Sequence, residues 1–267
     1  MRPLKICLNS SNPNKSMEFN PFSLENKTIL VTGASSGIGQ AIAIACSKMK
    51  ANVIITGRNH QKLESTLSLM ANKGCHQILI ADLTNKSDVD NLVFQLPKLD
   101  GIVYNAGIGS RKLCKMIEKE DIDTVMNTNF SSSVLLQSAI LSSKRINKGA
   151  SIVFIASRAA TSPSIGNAIY SASKGAIISY AKCLGLELAP RQIRVNCICP
   201  AMVWTDLIIQ EGVSKEELEE AQLNYPLKRY GTPEDIAYLT IYLLSNASCW
   251  MTGSILDITG GGEQTLI

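Results

Sequence analysis

ILVTGASSGIG, residues 29–39, is the stretch whose reading decides the fold. An apolar run over 28–31 breaks at Gly33, and Ile38, Ala41, Ile42 and Ala45 then recur at helical spacing. This reads as a buried strand, a tight glycine turn and a helix facing a sheet. Gly33 can take backbone angles closed to other residues. Gly37, lacking a side chain, lets a phosphate come close to the main chain, and Gly39 lets the helix lie close on the strand. The helix start offers unpaired N–H groups and a positive dipole end, which suit a pyrophosphate. Ser35 and Ser36 add hydroxyl donors. The spacing is G-x3-G-x-G, and such a turn alone is weak evidence for a nucleotide.

Outward from this turn, apolar runs at 52–56, 77–81, 101–104, 151–155, 193–198 and 255–258 read as six more strands. Helical patterns lie between them at 60–70, 86–95, 120–142, 167–188 and 233–244. The last has Thr232 as N-cap and Pro233 at its first position. Strands alternating with helices of this length imply right-handed crossovers and a parallel sheet. The strand runs are apolar throughout rather than alternating, as a sheet covered on both faces requires. The expectation is an α/β, doubly wound (Rossmann) parallel sheet of seven strands with helices on both faces. It forms a single domain over 25–267, preceded by a polar extension over 1–24. Ligands of such a sheet bind at the carboxyl ends of its strands.

The bulk numbers remove several classes. The 267 residues, 45% of them apolar, suffice for one large core and are too apolar for disorder. Net charge is +4, without a basic stripe interleaved with aromatics, so no nucleic-acid partner is expected. No apolar run approaches the ~20 residues of a membrane helix. The opening MRPLKICLNSSNPNK lacks the apolar core of a secretory signal, so a cytoplasmic protein is expected. The eight cysteines form no C-x2-C pair and the only histidines are His60 and His76, so no metal site is expected. Most of the cysteines read as buried thiols in a reducing compartment. Cys197 and Cys199, two apart in a strand-like run, would share a face.

Tyr170 and Lys174 are four apart in YSASK and share a face on a helix. A Y-x3-K pair by itself carries almost nothing. Ser157, however, ends the fifth strand, and the return into the helix brings its hydroxyl toward Tyr170. The bland reading is a surface Tyr–Lys pair and an unrelated loop serine. The chemical reading starts from the phenol pKa of about 10, which makes tyrosine a poor base at neutral pH. A nearby ammonium favours phenolate. Bringing the pKa to about 7 takes about 4 kcal/mol of differential interaction, within reach of one close ammonium in a partly desolvated site. Tyr170 would then trade a proton with a carbonyl or alcohol oxygen, and Ser157 would hold that oxygen by a hydrogen bond.

With these residues the chain resembles the short-chain dehydrogenase/reductase family over nearly all of 25–262. TGASSGIG resembles the family's cofactor turn, which places Gly33, Ser35, Ser36, Gly37, Ile38 and Gly39 around the dinucleotide. Asp82, followed by Leu83, matches the aspartate beside the adenine ring. Asn105, Ala106 and Gly107 resemble the end of NNAG, which stabilises the central sheet near the cofactor. DTVMNTNF resembles the segment whose final asparagine, here Asn129, joins the catalytic set. Ser157, Tyr170 and Lys174 match the family's serine, tyrosine and lysine. IRVNCICPAMVWT resembles the segment whose Pro200, Val203 and Thr205 would line the nicotinamide end. PLKRYGTPEDIA and MTGSILDITGG are similar to the tail of bacterial 3-oxoacyl carrier-protein reductases. The resemblance implies that Tyr170 and Lys174 also contact the cofactor, Lys174 at the nicotinamide ribose, and that Asn129 positions a water in a proton relay. It makes 202–230, with its charged SKEELEEAQL, the substrate lid. Three departures stand out: Tyr104 for the first Asn of NNAG, Ala201 for the Gly after Pro200, and Thr259 for an Asp before the paired glycines.

The activity expected is hydride transfer between a nicotinamide and a carbonyl/secondary alcohol pair, as in a 3-oxoacyl-carrier-protein reductase. A dehydrogenase of a sugar, polyol or steroid-like alcohol is an alternative. So is a catalytically silent nucleotide-binding protein on the same fold. The cofactor expected is NADP(H) rather than NAD(H). Gly57 stands at the end of the second strand, where NAD sites carry an acid, and Arg58 follows to meet a 2′-phosphate. The helix over 167–188 carries Ala168, Ala172, Ala176, Ser179 and Cys183 at spacings that admit another helix, and the helix over 123–142 is apolar on more than one side. Both imply a homo-oligomer, a tetramer by resemblance.

Overall fold

The computed structural model describes residues 19–71, 74–209 and 214–262. Seven strands form one parallel sheet: β1 (Thr28–Thr32), β2 (Asn52–Gly57), β3 (Gln77–Ile80), β4 (Leu99–Tyr104), β5 (Ile146–Ile155), β6 (Arg194–Pro200) and β7 (Ile255–Ile258). Their order is β3-β2-β1-β4-β5-β6-β7. The expected doubly wound sheet of seven strands is therefore present, and the winding reverses between β1 and β4, where the register pairs Val31 with Val103. A crevice opens at that point, outside the carboxyl ends of both strands.

Alternate strand residues feed two cores. Leu30, Ile54, Ile102 and Phe154 pack with α3 (Lys86–Gln95), α5 (Ser132–Ser142) and α6 (Ala168–Leu188). Ile29, Val31, Val53, Ile55, Val103 and Val153 pack with α1 (Gly37–Lys48), α2 (His60–Leu69) and α9 (Pro233–Leu244). Neighbouring residues of one strand point to opposite faces, and both faces of β1, β2, β4 and the end of β5 are covered, which is why their residues run apolar in succession. Leu24 is fully buried in the second core, and its N–H bonds the Met49 carbonyl. Residues 1–18 of the expected extension lie outside the described residues.

Three expectations are corrected. The helix read over 120–142 is two helices, α4 (Lys119–Met126) and α5, joined by a π turn at Asn127–Ser131. Strand β5 starts at Ile146 rather than at 151, and Ile146 pairs with Leu99. Cysteines are not mostly buried: among those described, Cys46, Cys197 and Cys199 are buried, whereas Cys75, Cys114, Cys183 and Cys249 are exposed. The buried three sit on the sheet or on α1, and the exposed ones on loops, a short 3-10 turn and the outer face of α6. Cys197 and Cys199 do share one face of β6.

The segment after β6 holds two short helices, α7 (Asp206–Ile209) and α8 (Lys215–Ala221), over a small core of Ile208, Leu218, Tyr225 and Tyr230. Residues 210–213 between them lie outside the described residues. Among the described residues no helix is long and apolar enough to cross a membrane, and no three His, Cys, Asp or Glu side chains could hold a metal together.

Candidate active site

The turn after β1 sets the geometry. Gly33 and Gly37 have φ of 62° and 54°, left-handed values that favour glycine. Gly39 is there for space: a Cβ on it would lie 2.2 Å from the Gly33 carbonyl oxygen. That oxygen accepts a hydrogen bond from Asn105 Nδ2 at 3.1 Å, which ties the end of β1 to the end of β4. Thr32, not singled out from the sequence, completes the tie. Its Oγ1 accepts from the N–H groups of Asn105 and Ala106 at 3.0 and 3.2 Å. Helix α1 starts at Gly37 with no acidic residue in its first turn, so its free N–H groups face a site suited to an anion.

Two adjoining clefts meet at this turn. The larger, about 390 Å³, runs past Gly33, Ser35, Ser36, Gly37 and Ile38 to Gly57, Arg58, Lys62, Asp82, Leu83 and Thr84. Asn105, Ala106, Gly107 and Thr205 line its inner end. The smaller, about 140 Å³, is lined by Ser157, Tyr170, Lys174, Pro200, Val203 and Thr205 among others, and shares Ile38, Asn105 and Gly107 with the first. The expected site residues thus fall along one continuous depression, with two exceptions. Gly39 lies beneath it as a packing residue, and Asn129 lies behind its wall.

Asn129 is buried in the π turn. Its Oδ1 accepts from the Ile108 N–H at 2.8 Å, and its Nδ2 donates to the Ile108 carbonyl at 3.0 Å and to Ser173 Oγ at 3.0 Å. Ser173 in turn donates to the Tyr170 carbonyl at 2.7 Å. The amide therefore clamps the loop after β4 onto the helix that carries Tyr170. Ser173, one turn past Tyr170 in YSASK, had a readable signal in that spacing; the role of Ile108 is played by its main chain and left none.

Lys174 is buried, and its Nζ donates to the Ile155 carbonyl at 3.0 Å and stands 5.7 Å from the centre of the Tyr170 ring. A Cβ on Gly107 would come 3.5 Å from Nζ and 3.2 Å from Asn129 Oδ1, so the glycine keeps the space in front of both open. Burial pushes the Lys174 ammonium down to about 8. It is still mostly protonated at neutral pH, so a positive charge stands beside the phenol. Ser157 follows β5, and its Oγ accepts from the Ala159 N–H at 3.1 Å. That leaves its O–H to donate elsewhere.

The buried ammonium has a cost in stability. Between about 8 and the ordinary 10.5 the unfolded chain holds a proton on Lys174 that the folded chain does not, so stability rises with pH across that window. Below it the cost is complete. Lys174→Met is therefore expected to raise stability at pH 7 by on the order of 2 kcal/mol, the lost bond to Ile155 included. The advantage should vanish by about pH 10.5. Thermal melts of both proteins at pH 7 and pH 10 check this.

The departures are accommodated. Tyr104 turns into the core, stacks on Phe154 at 4.6 Å between ring centres and donates to Gln137 Oε1 at 2.9 Å. Ala201 needs no left-handed backbone and donates its N–H to the Ile258 carbonyl at 3.1 Å. The Thr259 carbonyl accepts from the Gly262 N–H at 3.0 Å.

The chain's relatives bear on this geometry. The family model described as enoyl-(acyl carrier protein) reductase matches residues 33–263. The 3-oxoacyl-[acyl-carrier-protein] reductase of Rickettsia felis is 36% identical over 238 residues, 89% of this chain and 97% of that protein. A crystal structure of an actinorhodin polyketide ketoreductase variant with NADPH superposes with a TM-score of 0.82 at 28% identity, covering 89% of this chain and 97% of that one. A crystal structure described as a putative NAD(P)-dependent gluconate 5-dehydrogenase from Beutenbergia cavernae with bound NADP at low occupancy gives 0.82 at 29% identity, covering 91% and 98%. A glycine cradle shaped for a dinucleotide, opening into a cleft with Ser157, Tyr170 and Lys174, and relatives that match almost end to end lead to one assignment: the chain belongs to the short-chain dehydrogenase/reductase family of NAD(P)-dependent oxidoreductases acting on carbonyl and CH–OH groups.

Proposed function

We propose that the chain is an NADP(H)-dependent ketoreductase of 3-oxoacyl thioesters, with Tyr170 as general acid. The observation that carries this is the convergence of Ser157, Tyr170 and Lys174 on a small cleft continuous with the glycine cradle. A nicotinamide held in this cleft would supply the hydride to the carbonyl carbon. Ser157 holds the carbonyl oxygen by donating its hydroxyl. Tyr170 gives that oxygen its proton, and the Lys174 ammonium lowers the cost of the phenolate left behind. Asn129 acts through Ser173 and the Ile108 main chain, keeping the Tyr170 helix in register with the loop after β4. The cofactor would lie along Gly33, Ser35, Ser36, Gly37 and Ile38, with Asp82 and Leu83 at the adenine and Pro200, Val203 and Thr205 at the nicotinamide. NADPH oxidation over a panel of acetoacetyl-CoA, simple ketones, a 5-keto sugar acid and a steroid ketone tests the reading. Fastest turnover of the thioester supports it. Preference for the sugar acid would favour the alternative that the likeness to the gluconate dehydrogenase suggests. Binding without turnover would favour a silent nucleotide-binding protein.

The preference for NADP(H) rests on the adenosine end. Arg58 and Lys62 line the larger cleft, and no carboxylate stands at the end of β2. A guanidinium contact to a 2′-phosphate is worth ~1.5–3 kcal/mol, roughly ten- to hundredfold in affinity. Arg58→Ala should weaken NADPH by that factor and leave NADH almost unchanged. A Cβ on Gly57 meets nothing closer than 3.7 Å, so Gly57→Asp should fit and reverse the preference. Titration of all three proteins with both nucleotides decides. Better efficiency with NADH in the wild type sinks the reading.

Homo-oligomer assembly is inferred from the outer faces of α5 and α6. Ala168, Ala172, Ser179 and Cys183 are exposed on α6, Leu186 is 79% exposed beside them, and Leu135 on α5 is 62% exposed. Small residues admit a second helix closely, and large exposed apolar residues call for cover. Light scattering should give a tetramer at micromolar concentration, and a monomer there would refute the inference.

A further inference from the structure

Arg158 directly follows Ser157, yet its side chain takes no part in lining the cleft. The guanidinium turns the other way. Nη1 lies 2.9 Å from Oδ2 of Asp257, on the edge strand β7, and 3.0 Å from Thr161 Oγ1. Three-quarters of the Arg158 side chain is shielded, although about half of the Asp257 side chain is exposed. The same residue closes the turn with its main chain: the Arg158 carbonyl accepts from the N–H groups of Thr161 at 3.1 Å and Ser162 at 2.9 Å. Asp257 is registered with Cys199 on β6, and the Cys199 thiol lies beside the Ser157 amide. The residue next to Ser157 is therefore gripped at both ends, by its own turn and by β7.

This grip bears on the direction of the Ser157 hydroxyl. Oγ accepts from Ala159 N–H inside the turn, so the direction left for its O–H follows the orientation of the turn Arg158–Ala160. A displaced turn carries the donor away from the cleft while the strand beneath stays in place. A half-exposed ion pair contributes little to global stability. Its loss should therefore disturb the turn without unfolding the chain.

We propose that Arg158, through its ion pair with Asp257, is a positioning residue that aims the Ser157 hydroxyl at the carbonyl oxygen, with the edge strand β7 as the anchor of the reactive loop. The proposal rests on the role given to Ser157 above. Its test uses Arg158→Met, Arg158→Lys, Asp257→Asn, the Arg158→Met/Asp257→Asn double variant and Ser157→Ala, with NADPH and the ketone of the panel that is turned over fastest. Arg158→Met and Asp257→Asn should each lower kcat about tenfold while the Kd for NADPH and the melting temperature change little. The double variant should be no worse than either single one, Arg158→Lys should recover most of the loss, and Arg158→Met should add nothing in the Ser157→Ala background. Hydrogen exchange over residues 156–162 of the cofactor-free protein should rise in both single variants. Full kcat in Arg158→Met, losses that multiply with that of Ser157→Ala, or unchanged exchange over 156–162 would overturn the proposal. Wild-type turnover in Ser157→Ala would instead overturn the role of the serine itself. If no ketone is turned over, the exchange measurement alone still decides whether β7 anchors the turn.

Discussion

Tyr170→Phe should cut kcat by roughly 10²–10⁴ and leave NADPH binding near normal. The substitution removes one oxygen and keeps the ring. General acid–base groups contribute about this factor. Of the other hydroxyls lining the smaller cleft, Ser157 is engaged with the same substrate oxygen and Thr205 donates to the Val203 carbonyl at 3.3 Å. Binding is largely spared because the ring of residue 170 stays and most of the groups expected to hold the cofactor are elsewhere: the turn over 33–39 and Lys174, whose Nζ keeps its bond to the Ile155 carbonyl. Steady-state NADPH oxidation and a fluorescence titration of NADPH measure the two quantities separately. A variant retaining a tenth of wild-type turnover would remove Tyr170 from the proton-transfer step, and one that no longer binds NADPH would point to a structural role for the hydroxyl.

Gly39→Ala should have the largest effect on the folded state. The added carbon would stand 2.2 Å from the Gly33 carbonyl oxygen and 2.5 Å from Asn105 Nδ2. Neither neighbour can yield cheaply. The carbonyl is main chain in the turn after β1, and the amide is bonded to that same oxygen. Helix α1 must therefore retreat from the sheet, although Ile42, Ala43 and Cys46 are fully buried behind it. Overpacking of this kind costs typically 1–3 kcal/mol and more where backbone must move, so a loss of about 3 kcal/mol is expected. Moving α1 also moves its N-terminus, so NADPH should bind at least about tenfold more weakly. Gly57→Ala is the contrast: with ordinary φ and no neighbour within 3.7 Å, it should leave the melting temperature in place. Chemical denaturation and nucleotide titration read both effects, and equal stability of the two variants would contradict the packing argument.

The layout of strands and helices was legible because a doubly covered sheet leaves the same mark in its central strands: an apolar run closed by a small or polar residue. Ser157, Tyr170 and Lys174 were legible as a set through the lengths that separate them. What escaped has physical reasons too. A π turn leaves apolar spacing almost intact, so the break around Asn129 did not show in the pattern over 120–142. Thr32 sits inside an apolar run and reads as strand filler, yet its hydroxyl joins two strand ends. Asn129 was found by resemblance, but its place behind the wall depends on the Ile108 main chain, which no residue type announces. Counting apolar spacing also said nothing about which cysteines face water, because the outer face of α6 carries small residues whether or not it is covered.

The π turn between α4 and α5 has a meaning for chain length. Each residue of an α-helix advances the face by about 100°, and the wider turn takes up about one extra residue, so the helix beyond it keeps its phase. Val125 on one side, and Leu136 and Ile140 on the other, are all buried with the turn in place. Removing one residue here would restore an unbroken α-helix with both flanks seated, but would take away the widened turn in which Asn129 reaches Ile108. Adding one would rotate the helix beyond by about 100° and carry Leu136 and Ile140 off their core. Side chains on the outer surface of this segment are free to drift, whereas its number of residues is locked: the clamp on Ile108 works as a ruler as much as a bond.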